Sequence, residues 1–206
     1  MSRVLKLVTG NVLPTQPNKV LEVRQILEAT LRKLDIELQQ VNLDLEEIQG
    51  SAEEVIGAKI REAARKDGGV VLCEDTSLAF KALGGLPGPY MYALHSKWFL
   101  HELGPDNLPK LLAGFEDKTA AAECRFAIFR GKPGVEPVIL TGICEGTIVE
   151  ARGSRHFGWD PCFQPLGYDL TYAELPSEVK NEISHRAKAL KALEDYLNAH
   201  HTELFA

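Results

Sequence analysis

Residues 69–78, GVVLCEDTSL, open with apolar positions that suit a buried strand and then present Glu74, Asp75 and Thr76 in succession. An apolar run of this length directly after Asp-Gly-Gly at 67–69 reads as a strand covered on both faces, as in the middle of an α/β sheet. Adjacent carboxylates are unusual at the end of such a strand, because each disfavours ionisation of the other unless a cation lies between them. Hard oxygen donors of this kind suit Mg²⁺, which keeps several waters and takes further ligands from substrate phosphates. A solvated strand end, with Asp75 capping a turn, accounts for the same stretch without any chemistry.

Upstream, VLKLV at 4–8 reads as a buried strand and TGN at 9–11 as the turn that follows it. Apolar residues at 20, 23, 26, 27, 31 and 34 recur at helical spacing over 19–34, and 36–43 reads as a second strand. Ser51 followed by Glu54 is a capping-box pattern, opening an Ala-rich helix that runs to about Lys66. Downstream, the strand is expected at 70–73, GGLPGP at 84–89 as loop only, and a helix around Trp98 and Phe99 ending near Leu103. AECRFAIF and VILTGICEGTIV read as an antiparallel strand pair across RGKPGVEP. One closing helix is expected from Pro176 to Leu197, with an apolar stripe at 183, 187, 190, 193 and 197. The order predicts an α/β chain with a mixed sheet, folded as a single unit over 1–206.

The formal charge of −6 argues against a protein that grips polymeric nucleic acid through phosphate neutralisation. No stretch is apolar for long enough to cross a bilayer, and MSRVLKLVTGN lacks a secretory cleavage pattern, so no membrane association is expected. Cysteines 73, 124, 144 and 162 form no CxxC pair and suit buried, reduced thiols, which favours the cytoplasm. GxxxxGK[ST], GxGxxG and GxSxG are all absent, which removes the main sequence support for three common enzyme classes.

Three further clusters place polar groups together. LEEIQG at 45–50 offers Glu46 and Glu47 just before the helix that carries Lys59, although acids there are also favoured by the helix dipole. RHFGWDPCFQP at 155–165 sets Phe157 and Trp159 around Gly158; such rings sandwich a planar base or plug the core under a loop. KNEISHR at 180–186 gathers Lys180, Ser184, His185 and Arg186, donors that fit the O6 and N7 acceptors of a 6-oxopurine or simply form a basic helix start. A Ser–His hydrolase built on Ser184 and His185 is disfavoured, because adjacent residues on a helix point in different directions.

Taken together, VTGN at 8–11, EDTSLAFKALGGLPGPY at 74–90, LLAGFEDK at 111–118, FGWDPCFQP at 157–165, TYAE at 171–174 and SHR at 184–186 closely resemble the inosine triphosphate pyrophosphatase family, in the family's order and nearly end to end. The resemblance implies hydrolysis of non-standard purine nucleoside triphosphates (ITP, dITP, XTP) to the monophosphate and pyrophosphate with Mg²⁺, Mn²⁺ being a possible substitute. It also implies a homodimer and an elongated, two-lobed α/β fold with a long mixed sheet and the active site in a central cleft. A nucleotide-binding sensor that has lost turnover is the alternative, disfavoured by the intact acids.

Carried over by motif, Thr9, Gly10, Asn11 and Lys19 hold the triphosphate, Glu47 and Asp75 the metal with Glu74 as a further acid, and Asp75 acts as base. Lys59, Thr76 and Lys97 contact substrate, Phe157, Gly158, Trp159 and Asp160 surround base and sugar, and Lys180, His185 and Arg186 read the purine edge. Two segments depart from the family pattern: an insertion within 12–18, which moves Lys19 to eight residues after Asn11, and MYALHS at 91–96 between GPY and Lys97. VLEVRQIL after Lys19 continues the family helix and supports that lysine as the equivalent.

Overall fold

A computed structural model describes residues 3–9, 17–46, 48–91, 97–155 and 157–206, with side chains left aside at 17–19 and 97–98. Strands β1 (Arg3–Thr9), β2 (Ile36–Asn42), β3 (Val70–Phe80), β4 (Pro87–Gly88), β5 (Thr119–Phe129), β6 (Val138–Ile148) and β7 (Phe163–Pro165) form one sheet in the order β2-β1-β3-β5-β6-β7, with β4 paired to β3. The sheet is mixed: β1 runs parallel to both β2 and β3, whereas β4 on β3 and β7 on β6 are antiparallel. The α-helices are α1 (Pro17–Lys33), α2 (Ala52–Asp67), α3 (Lys97–Leu103), α4 (Ser177–Ile183) and α5 (His185–Phe205). None of the described helices is long and apolar enough to cross a membrane.

The chain divides into two compact units. One comprises residues 1–75, 125–141 and 189–206, the other 76–124 and 142–188. In the first, α2 lays Ile56, Ile60, Ala63 and Ala64 against Val8, Val71, Cys73 and Ala127 of the sheet. Its start is fixed as the sequence indicates: Ser51 Oγ accepts from the Glu54 N–H at 3.2 Å, and Glu54 Oε2 accepts from the Ser51 N–H at 2.7 Å. Thr30 of α1 donates to Glu194 of α5 at 2.6 Å, tying those two helices together. In the second unit, Leu78, Phe80, Leu108, Leu112, Phe163, Trp159 and Tyr172 lead the core.

Three expectations are corrected. β3 does not end at the acids but runs on to Phe80, because Leu78 and Phe80 continue the buried alternation beyond Asp75. GGLPGP is not loop alone: positive φ at Gly84 and Gly85 turns the chain back, and Pro87–Gly88 pairs with Ala79 and Leu78. The closing helix is two helices, broken at Ser184, whose backbone is extended (φ −66°, ψ 156°) and whose Oγ accepts the Ala187 N–H at 3.1 Å as the cap of α5. The break aims the first residues of α5 separately from α4.

Gly146 leaves no room for a side chain. A Cβ there would lie 2.4 Å from the Gln164 carbonyl oxygen and 2.6 Å from the Phe163 ring. Gly146→Ala is expected to push β7 off β6 and lower stability by about 1–3 kcal/mol, read from urea unfolding of the two proteins.

Candidate active site

The side chains of interest fall into two groups, one in each unit. In the first, parallel pairing brings the C-terminal ends of β1 and β2 level with the middle of β3, just where open α/β sheets place their ligands beyond the strand ends. Thr9 closes β1 opposite Asn42, and Val8 lies opposite Cys73, one residue before Thr9 and Glu74. Thr9 accepts from Gln40 Nε2 at 3.2 Å through its hydroxyl and from the Leu43 N–H at 3.2 Å through its carbonyl. The stretch after β2 is held by α2: the Glu46 N–H donates to Glu62 at 2.8 Å, and Lys66 donates to the Asp44 carbonyl. Gly10, Asn11 and Glu47, the side chains of Lys19 and Lys97, and the inserted stretches 12–16 and 92–96 lie outside the described residues.

Asp75 is the centre of this group. Successive strand residues face opposite sides, so β3 sends Asp75 to the side covered by α2 and Glu74 to the other. Lys59 reaches down from α2 and donates to Asp75 Oδ1 at 2.7 Å, both residues only 9% exposed. A short ion pair largely removed from water is poorly screened, so it orients the carboxylate strongly. Burial pushes the thiol of nearby Cys73 up to about 12, so that sulfur carries its proton at neutral pH. All four cysteines are buried and none is in a disulfide, as expected.

The second group is built on the segment leading into β7, on α4 and on the start of α5. Gly158, with φ +46°, turns the chain between Phe157 and Trp159 so that the two rings part. Trp159 is buried, edge-on to Phe163 with ring centroids 5.5 Å apart, whereas Phe157 remains partly exposed. Of the two rings singled out in the sequence, one therefore belongs to the core. Lys180 Nζ sits 4.5 Å above the Phe157 ring and pairs with Asp160, and Arg186 lies 6.0 Å from the same ring. His185 is buried against Trp159 (5.3 Å) and stacks on Tyr172 (5.8 Å, 17° between planes). Thr76, the first residue of this unit on β3, is also buried.

The structure thus brings Lys59 to Asp75, and Phe157, Asp160, Lys180, His185 and Arg186 to one another. Ser184, whose hydroxyl caps a helix, has a sufficient structural reason to be there. Tyr172 is a member that sequence reasoning left without a role; it lies in TYAE, and only its ring contacts with Trp159, Phe163 and His185 reveal it. Among the described residues no three His, Cys, Asp or Glu side chains converge as a metal cage. The donors on offer, carboxylates rather than thiolates or imidazoles, fit Mg²⁺, which binds through one or two carboxylates plus phosphate oxygens.

Solved structures with the same architecture carry related descriptions. The Ham1 protein of Staphylococcus aureus superposes with a TM-score of 0.75 at 25% identity, covering 95% of this chain and 98% of that one. A HAM1 protein from Coxiella burnetii gives 0.75 at 28% identity, covering 96% and 99%. A nucleoside-triphosphatase described as a dITP/XTP pyrophosphatase, from Mycobacterium abscessus, gives 0.66 at 30% identity, covering 92% and 98%. The model of the Ham1 family matches residues 5–196, and with this fold and these residues in place the chain belongs to that family.

Proposed function

We propose that this protein is a nucleoside triphosphate pyrophosphohydrolase, cleaving ITP, dITP and XTP to the nucleoside monophosphate and pyrophosphate and so clearing non-standard purines from the nucleotide pool. The observation that carries the reading is the buried Lys59–Asp75 pair just past the point where the parallel pairing of β1 and β3 ends. A carboxylate held there by an ammonium group is placed for phosphoryl chemistry, and the similarity to the dITP/XTP pyrophosphatase of Mycobacterium abscessus supports the substrate class. The family resemblance supports a homodimer, and the four buried, reduced cysteines support a cytoplasmic location.

In this reading Asp75 takes a proton from water as the water oxygen bonds to the α-phosphorus, and the bond from the α-phosphorus to the bridging oxygen breaks, so that pyrophosphate leaves with that oxygen. Lys59 orients the Asp75 carboxylate and adds positive charge beside the phosphates. Glu47 and Asp75 would hold Mg²⁺, with Glu74 contributing charge from the opposite face of β3. When bound, the metal neutralises charge that develops on the phosphate oxygens. Thr9, Gly10, Asn11, Lys19, Thr76 and Lys97 steady the phosphate chain, while Phe157 offers the base a ring face.

Lys180, His185 and Arg186 select the purine. A 6-oxopurine presents acceptors at O6 and N7, whereas adenine places a donor at position 6 that meets these donors head-on. Pyrophosphate release from ITP, XTP, GTP and ATP, with and without Mg²⁺, tests the reading directly. ITP and XTP are expected to turn over at least about 10²-fold faster than ATP, and only with the metal. Equal rates on ATP and ITP would overturn the assigned selectivity.

A further inference from the structure

An arginine in the middle of an apolar strand needs a reason. β5 reads TAAAECRFAIF, and Arg125 is 7% exposed between Cys124 and Phe126. A buried guanidinium loses its hydration at a high cost unless it is paired. Here both Nε and Nη2 lie 3.0 Å from Glu53 Oε1, in the first turn of α2.

The neighbours of Arg125 show what this pair is beside. β3 and β5 are adjacent in the sheet, and each packs one face under α2. On β3 the residues on that face run Val71, Cys73, Asp75; on β5 they run Phe129, Ala127, Arg125. Val71, Cys73 and Ala127 belong to the apolar layer beneath α2, and Phe129 packs against it. Both strands therefore change from apolar to charged at the next position on the face. Each charge is met from the same helix, Asp75 by Lys59 and Arg125 by Glu53.

We infer that Arg125 is a positioning residue for the proposed reaction, pinning the first turn of α2 through Glu53 so that Lys59, further along that helix, stays on Asp75. The inference rests on the function proposed above for that acid. Glu53 is half in water while Arg125 is buried, so the strand residue is the fixed anchor and the helix residue the tether. The neutralising attraction also appears in Glu53 itself: desolvation opposes its ionisation, yet its own backbone hydrogen bond and the Arg125 charge leave its carboxyl below the usual range.

Two readouts test this. In protein labelled with ¹⁵N-lysine, the Lys59 Nζ–H signal, assigned by its loss in Lys59→Arg, is expected to be exchange-protected in the wild type, lost in Arg125→Met and kept in Arg125→Lys. In ITP hydrolysis, Arg125→Met is expected to lower kcat about 10-fold with KM changed less than about 2-fold, and Arg125→Lys to recover most of it. The double variant with Lys59→Met is expected to be no slower than Lys59→Met alone, because both act through one group. Glu53→Gln asks the same question from the exposed partner, so that it is decided even if Arg125→Met does not fold. A Lys59 signal unchanged in Arg125→Met and Glu53→Gln, or losses that multiply with Lys59→Met, would overturn the inference. A wild type that hydrolyses no purine triphosphate sinks the proposed function instead, while the lysine signal still decides the positioning role.

Discussion

Asp75→Asn is expected to lower the rate of pyrophosphate release from ITP by roughly 10³-fold while the protein stays folded and still binds the nucleotide. Asparagine has the size of aspartate and keeps one oxygen that can accept from Lys59, so the packing around β3 is preserved. It has no negative charge to hold a metal and no basic oxygen to take the water's proton. Lys59 would then face a neutral amide in a largely buried place, and a stability loss of about 1–3 kcal/mol is expected from that mismatch. The comparison that isolates chemistry is kcat measured beside a thermal melt and an ITP dissociation constant. A variant with near-normal turnover would remove Asp75 as the base, and a variant that binds no nucleotide would show that the charge serves binding first.

Why the sequence showed this acid but not its surroundings follows from what each signal measures. The start of α2 was legible because Ser51 and Glu54 close a cap by local hydrogen bonds that depend on nothing distant. α1 was legible because its apolar spacing is set by one packed face, on which Val23, Leu27 and Leu31 are buried. β3 reads too short from the sequence because two acids look like the end of a strand; they sit inside it because Lys59 comes down from α2 to pair with Asp75, a partner the local sequence does not show. The break at Ser184 was hidden because the apolar residues on either side stay close to helical spacing, and only the extended ψ at that residue separates α4 from α5.

The candidate site divides along the same line. Residues whose chemistry is unusual for their place, such as paired acids or Lys180 near His185 and Arg186, could be picked out one cluster at a time. Residues whose role depends on a partner across the fold could not. Arg125 looks like one charged residue in a strand until Glu53 is seen beside it. Trp159 looks like a twin of Phe157 until the positive φ at Gly158 sends the two rings apart.

Lys180→Met carries the second large effect, and it separates stability from recognition. The Lys180–Asp160 pair is mostly buried, with side-chain exposures of 17% and 5%. Taking away the ammonium leaves the Asp160 carboxylate in a low-dielectric place without its lysine, at an expected cost of about 3–5 kcal/mol. The same substitution removes the cation above Phe157, and the KM for ITP is expected to rise about 10-fold if that cation helps hold the base. The double variant Asp160→Asn with Lys180→Met distinguishes the two roles. Neutralising both partners relieves the buried charge, so most of the lost stability is expected to return, measured by urea unfolding, while the KM stays high. If stability and KM both recover, Lys180 serves only to neutralise Asp160, and the purine edge must be read by His185 and Arg186 alone.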